Sequence, residues 1–214
     1  MSKIDIQNAI NSKDETAIIE LLEDKTLPIE DVKAIYFPFK DHREIVGQVA
    51  MNLSLRTSVY ERDKEYSEVM VELLRDLAVN DADMGARWAV AKNPHTPSDV
   101  LVQLASDEIN LVRALVATNP ATPPLILEKF FSDEKIVRDG LSGNPATPSK
   151  ILKILVNDAD KMVRMRLAEN SGADKNIVEE LLNDSDLNVA KAAQANLQER
   201  SWEKIAVAWK VSLL

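Results

Sequence analysis

The sequence predicts an all-α fold, a solenoid of stacked two-helix units about 26 residues long. Three observations carry that expectation. A pentapeptide, Asn-Pro-x-Thr-Pro, recurs at nearly fixed spacing. The apolar residues between its copies fall at helical rather than alternating intervals. Finally, 45% of the residues are hydrophobic and only 5 are Gly, the balance of an ordered chain rather than a linker-rich one.

The copies are Asn93-Pro94-His95-Thr96-Pro97, Asn119-Pro120-Ala121-Thr122-Pro123 and Asn144-Pro145-Ala146-Thr147-Pro148, at intervals of 26 and 25 residues. A degraded copy begins at Asn170-Ser171-Gly172, and Asn196 lies 26 residues beyond Asn170. Upstream, Val79-Asn80-Asp81-Ala82-Asp83 matches Val156-Asn157-Asp158-Ala159-Asp160, which extends the pattern toward the N-terminus. Within a unit, Thr96, Thr122 and Thr147 read as N-caps, each followed by a proline suited to a first helical turn. The helix after each carries an apolar stripe: Val100, Leu101, Leu104 and Ala105; Ile126, Leu127, Phe130 and Phe131; Ile151, Leu152, Leu155 and Val156. A polar turn follows, marked by Asp107, Asp133, Asp158 and Asp184. The second helix buries two columns, Ala86/Val112/Val137/Val163/Val189 and Val90/Val116/Leu141/Leu167/Ala193, and stops before the next Asn-Pro because a residue preceding proline disfavours the α region.

The solenoid is expected over 67–196, and over roughly 77–196 these units resemble the leucine-rich repeat variant family, most clearly in Asn-Pro-x-Thr-Pro followed by an apolar helix, Asp and Val-Arg. The resemblance implies a right-handed superhelix of α and short 3₁₀ helices, laid out like HEAT and armadillo solenoids. Some relatives carry a cysteine-rich iron–sulfur module before the repeats; this chain has no cysteine, so that module is not expected. At the fourth unit Gly172-Ala173-Asp174 departs from the motif, as a terminal unit drifting toward a cap would.

Residues 1–66 show no clear repeat. Ile18, Ile19, Leu21 and Leu22 mark one helix, and Ile45, Val46, Val49, Ala50 and Leu53 another, with Tyr36-Phe37-Pro38-Phe39 between them. This segment is expected to cap the solenoid, the aromatic loop being alternatively a docking element. In 197–214, Ser201 reads as the cap of a helix that presents Trp202, Ile205, Ala206 and Trp209, either to cover the last unit or to contact a second copy.

The chemistry-bearing residues point away from catalysis. No cysteine means no disulfide, thiolate metal site or Cys nucleophile. Neither His42 nor His95 is expected to ligate a metal, since His95 is replaced by Ala121 and Ala146 in sister units. No phosphate-binding glycine loop is present. The carboxylate pairs Asp81/Asp83, Asp158/Asp160 and Asp184/Asp186 recur at one turn position, which argues for a turn role. So do the asparagines Asn93, Asn119, Asn144, Asn170 and Asn196, whose amides suit exposed backbone groups. The arginines Arg87, Arg113, Arg138 and Arg164 would repel one another unless interleaved with the turn aspartates, so an Asp–Arg ladder is the structural expectation and an anion groove the alternative. The net charge of −9 makes nucleic acid a poor partner, and no apolar run is long enough to span a membrane. No cofactor is expected. The absence of cysteine and of an N-terminal apolar stretch leads to an expectation of a cytoplasmic protein.

What remains is a surface. Two residues on from the buried valines, the column Trp88, Ala114, Asp139, Met165, Lys191 is expected to point outward, beside Lys92, Thr118, Gly143, Glu169, Ala195. The expected function is a non-catalytic scaffold, monomeric or weakly dimeric, that binds a protein or peptide through Trp88, Lys92, Arg113, Asp139, Met165, Arg166 and Lys191. A HEAT-like protein acting on nucleic acid and a self-assembling structural unit remain as alternatives. Heparin binding would single out the first, and light scattering on a chain lacking 197–214 the second.

Overall fold

The computed structural model describes residues 3–56, 66–80 and 83–212, the backbone alone for 3, 4 and 203–212. The described residues are helical with no strand, and they form two compact units, Met1–Ala121 and Thr122–Leu214. The first unit holds α1 (Lys3–Ser12), α2 (Glu15–Glu23), α3 (Ile29–Tyr36), α4 (Arg43–Arg56), α5 (Glu68–Ala78), α6 (Met84–Lys92), α7 (Ser98–Leu104) and α8 (Asn110–Thr118). The second holds α9 (Pro124–Leu127) with the 3₁₀ turn Glu128–Ser132, then α10 (Lys135–Gly143), α11 (Ser149–Leu155) and α12 (Lys161–Glu169). It ends with α13 (Lys175–Glu180), the 3₁₀ turn Leu181–Asn183 and α14 (Leu187–Ser212).

Each unit is a stack of helix pairs, the layout of an α-solenoid. In the first, α2, α4, α6 and α8 pack side by side in one row, and α3, α5 and α7 form the other. In the second, α10, α12 and α14 make the corresponding row. The row thus begins well before residue 67. The interior of each unit holds the columns read from the sequence: Ala86, Val90, Val112 and Val116 in the first, and Val137, Leu141, Val163, Leu167, Val189 and Ala193 in the second, are all buried. The first helices contribute Val100, Leu101, Leu104, Ile126, Leu127, Phe130, Ile151, Leu152 and Leu155. Each such side chain stabilises the stack by roughly 1.5–3 kcal/mol when withdrawn from water. Phe131 departs from the expected stripe and is 44% exposed, because the helix tightens to 3₁₀ at Glu128 and rotates it outward.

Asparagines tie successive pairs together. Asn119 is buried, and its Nδ2 donates to the carbonyls of Ala91 and Asn93, both 2.9 Å away. Asn170 repeats this toward Ser142 (2.8 Å) and Asn144 (3.1 Å). Meanwhile each Oδ1 accepts the amide two residues on: His95 for Asn93, Ala121 for Asn119, Ala146 for Asn144, Gly172 for Asn170. One side chain therefore closes its own turn and clamps the helix end one unit earlier. The turns are tight: a Cβ on Gly172 would stand 2.6 Å from Pro145, which accounts for glycine in the fourth unit.

The motif threonines do something other than cap the next helix. Thr96 Oγ1 donates to Val90 O (2.6 Å) and Thr147 Oγ1 to Leu141 O (2.7 Å), and both threonines are buried. They satisfy the carbonyl ends of the preceding second helix. The N-cap positions fall instead to Pro97, Pro123 and Pro148, whose extended backbone lets their carbonyls start the new helix. Proline's fixed φ suits that entry, and the extended bias it imposes on threonine aims the hydroxyl backward.

Two helices run on past their asparagine, and both use an arginine four residues later. Asn52 Nδ2 donates to Leu22 O (2.6 Å) and Asp24 O (3.2 Å), so it is an earlier rung of the same ladder. Arg56 Nε donates to Asn52 Oδ1 (2.8 Å), and its guanidinium also reaches Leu27 O. At the other end, Asn196 donates to Asn170 O (3.2 Å), while Arg200 reaches Ala173 O (2.7 Å) and Asn170 O (2.9 Å). With no Asn-Pro to break it, the helix at Asn196 continues. Ser201 accordingly lies inside α14, where its Oγ donates to Leu197 O, and does not cap a new helix. Trp202 is 70% exposed and lines a surface cavity with Lys175, Glu179 and Leu182; Ile205, Ala206 and Trp209 lie outside the residues with described side chains.

Tyr36, at the start of the aromatic segment, is fully buried; its hydroxyl donates to Asp76 Oδ2 (2.6 Å) and accepts from Asn80. Burial and the Asp76 carboxylate push that phenol well above its ordinary range, so it stays a neutral donor. Phe37 is left 39% exposed.

Candidate functional site

The recurring arginines and aspartates form rungs between successive helix pairs within each unit. Arg87 Nε donates to Asp107 Oδ2 (2.7 Å), and its guanidinium is largely covered. Arg138 grips Asp158 with two nitrogens (2.6 and 3.1 Å), and Arg164 grips Asp184 likewise (2.6 and 3.0 Å). A further guanidinium nitrogen bonds a carbonyl in the arginine's own turn: Asp133 O for Arg138, Asp158 O for Arg164, and, in the first unit, Asp107 O for Arg113. Each aspartate also accepts the amide two residues on, as Asp158 does from Asp160 and Asp184 from Asp186. The planar fork of arginine fits this two-oxygen recognition, which a lysine cannot copy. These groups are consumed by the scaffold and leave no anion groove along Arg138 and Arg164.

The charge balance follows from the contacts. Burial pushes the Asp158 carboxyl up, but Arg138 and the Asp160 amide outweigh it and hold it below its ordinary value of 3.8. Arg164 and the Asp186 amide hold Asp184 low in the same way, against a weaker push from burial. Because the folded-state values are depressed, the rungs contribute in full above the unfolded carboxyl range and are lost as pH falls through the folded values. The thermal midpoint is therefore expected to hold from neutral pH to about pH 4 and to fall below it. Asp184→Asn should start lower and decline less steeply through that acid window, which thermal melts across a pH series would show. An acid limb identical to that of the wild type would contradict the assignment.

Asp83, Asp160 and Asp186 cap α6, α12 and α14, accepting from Gly85, Met162 and Asn188. Asp81 lies outside the described residues. Lysines add exposed rungs, Lys135 to Asp160 (3.1 Å) and Lys161 to Asp186 (2.9 Å).

Of the two columns expected to point outward, the one through Ala114 does not, whereas Lys92, Thr118, Glu169 and Ala195 of its neighbour are exposed and Gly143 is half-buried. Ala114 is buried at 6% exposure, and Trp88, Asp139 and Met165 are half-buried; of that column only Lys191 is exposed. The reason is packing: a second helix flanked by its row neighbours has its sides covered, so a position two residues from the core column faces an adjacent helix. Lys92 is exposed and lays its ammonium 5.1 Å from the Trp88 ring centroid, a cation–π contact. Arg166 is exposed and pairs with Asp139 (3.6 Å) and Glu169 (3.5 Å). Arg113 is half-buried.

The open stripe lies at the start of these helices. Met84 in α6 is 50% exposed and Leu111 in α8 is 40% exposed. In the other unit Ile136 in α10 is 43% exposed, Met162 in α12 is 45% and Leu187 in α14 is 67%. Every second helix from α6 onward opens with one uncovered aliphatic side chain at its first or second position. The sequence signal was available, since Leu111, Ile136 and Met162 each directly precede a buried valine of the Val-Arg element. Among the described residues, one group of side chains has metal-ligand spacing, Glu15, His42 and Glu44. No described helix is long and apolar enough to cross a membrane.

No protein-family model matches the chain, and no curated protein does. Among solved structures, one described as a leucine-rich repeat variant with a novel repetitive protein structural motif matches at 23% identity. The match covers 84% of this chain and 80% of that one, with a TM-score of 0.45. The chain is similar to the leucine-rich repeat variant, the family that its Asn-Pro-x-Thr-Pro units resemble.

Proposed function

We propose that this chain is a non-catalytic repeat scaffold that binds a protein or peptide partner along the starts of its second helices. The observation that carries the reading is the recurrence of an exposed aliphatic side chain there: Met84 and Leu111 in one unit, Ile136, Met162 and Leu187 in the other. Single exposed apolar residues are ordinary. Leu111, Ile136 and Met162 stand at one place, directly before the buried valine, and Met84 and Leu187 one residue earlier; such recurrence at the helix starts is not scatter, because nothing in the fold requires it and water penalises it. The neighbouring polar groups are already spent, Lys135 on Asp160 and Lys161 on Asp186, so they frame the stripe without competing for it. Packed helices lie about 8–10 Å apart. An amphipathic partner helix with apolar side chains at i and i+7 advances about 10.5 Å and would meet successive members of the stripe. Lys191 and Arg166 remain as exposed charges at the margin.

The test is capture of a native-host protein on immobilised chain, identified and quantified by mass spectrometry. Ile136→Glu and Met162→Glu should each reduce recovery of the same protein at least about tenfold, the weight of an interface anchor. Their thermal midpoints should stay close to that of the wild type. Lys153→Ala, on the exposed side of a first helix, should leave capture intact. Equal recovery by all four proteins would remove the stripe from the interface.

A further inference from the structure

At one end of the first unit, three side chains that the repeat does not use converge. Glu15 is the first residue of α2, His42 directly precedes α4, and Glu44 is the second residue of α4. His42 Nε2 lies 3.5 Å from Glu15 Oε2, and His42 Nδ1 lies 3.6 Å from Glu44 Oε2. One donor atom from each of the three residues can be chosen so that all lie within 4.8 Å of one another. Beside them is a cavity of about 390 Å³, which Glu15 and His42 line together with Lys13, Pro38, Phe39, Asp41 and Ile45. His42 Nδ1 is itself buried and makes no hydrogen bond, which is unusual for a ring nitrogen that carboxylates surround.

We propose that Glu15, His42 and Glu44 form a binding site for a divalent transition-metal ion, with zinc the best fit. An imidazole with two carboxylates is a borderline donor set that suits zinc, whereas calcium and magnesium call for more oxygens and no nitrogen. Around a tetrahedral zinc, donors at about 2.0–2.1 Å from the metal stand roughly 3.4 Å from one another. The two contacts to His42 have about that length but go to opposite ring nitrogens, Glu15 to Nε2 and Glu44 to Nδ1. Bringing both carboxylates to the same ring nitrogen needs only rotamer changes in the glutamates, which are exposed and free to make them. The histidine is the fixed member. Its amide donates to Phe39 O (2.8 Å) and its carbonyl accepts from Val46 (2.9 Å), so its backbone is held on both sides. Glu15 is placed by Lys13, the one non-glycine among the described residues with positive φ (52°), which turns the chain from α1 into α2. Three protein donors leave a fourth position for water on the cavity side.

This grouping has no signature in the sequence, because Glu15 and His42 belong to different helix pairs and meet only when α2 packs on α4. The plain alternative is that Glu15 and Glu44 merely contact His42 as surface side chains. A metal titration separates the two.

The experiment is isothermal titration of the full chain with zinc chloride in a non-chelating buffer. The expected result is one zinc per chain at micromolar affinity. His42→Ala should weaken it at least about tenfold, as should Glu15→Gln and Glu44→Gln, and His95→Ala should leave it unchanged. Cobalt should give the visible absorption of a tetrahedral site, lost in His42→Ala. Circular dichroism confirms that each variant is folded, and the two exposed glutamine variants still report should the alanine variant not fold. Affinity or cobalt absorption unchanged by His42→Ala and by both glutamine variants would overturn the proposal, as would the absence of zinc binding by the wild type.

Discussion

Asn170→Leu is expected to destabilise the protein by about 2–4 kcal/mol, the cost of two backbone groups left without a partner and a third losing one of two. Asn170 is 2% exposed, and its side chain makes three hydrogen bonds. Nδ2 donates to Ser142 O and Asn144 O, and Oδ1 accepts from the Gly172 amide. Leucine has nearly the same shape and no polar atom, so it fills the space and abandons Ser142 O and the Gly172 amide, while Asn144 O keeps the Thr147 amide (3.1 Å). Each buried donor or acceptor left alone costs about 1–3 kcal/mol, and water can reach Gly172 more readily than the two carbonyls. Asn170→Asp should be at least as damaging. It keeps the acceptor for Gly172 but sets a carboxylate against two carbonyl oxygens. Asn176→Leu, at an exposed position in α13, should change stability by no more than about 0.5 kcal/mol. Urea unfolding of the four proteins gives the comparison, and coincident transitions would show that the ladder contributes nothing to stability.

How far the sequence reveals this depends on which signal each residue carries. Val112, Val116 and Leu141 declare themselves, because burial selects for aliphatic side chains at a helical interval and the repeat shows the interval several times. Arg138 and Asp158 are legible as a pair only because both recur: like charges stacked at repeat spacing demand opposite charges between them. Thr96 misleads. Its local context, Thr-Pro before an apolar run, matches an N-cap, and only the three-dimensional path of the turn shows its hydroxyl reaching back to Val90. Asn52 was hidden for a different reason. It has no following proline, and the signature that identifies it, an arginine four residues on, makes sense only once Asn196 and Arg200 are seen to share it. The recognition column failed on Ala114 because a helical wheel gives the angle to the core but not the neighbours on either flank. In a row of parallel helices those neighbours leave a narrow open stripe, and it passes through Leu111 and not through Ala114.

Leu104→Ala should cost on the order of 2–5 kcal/mol, whereas Gln103→Ala one residue away should fall within about 0.5. Leu104 is 2% exposed and Gln103 is exposed, so the pair reports which side of α7 faces the core. The large value has two sources, the transfer of the lost methyl groups from water and the void they leave. That void cannot close cheaply here. The short helix α7 is held by α5, α6 and α8 at once, and moving it toward any one opens a gap against the others. Leu104→Met, which conserves volume, should cost less than about 1.5 kcal/mol. In a stack of repeats the loss is carried mainly by nearest neighbours. Hydrogen exchange in Leu104→Ala should therefore quicken most over α6 and α8 and least over α12. Equal urea midpoints for Leu104→Ala and Gln103→Ala would refute the assigned faces. Uniform acceleration across all three helices would show instead that the chain unfolds as one cooperative body and that nearest-neighbour stacking does not govern its stability.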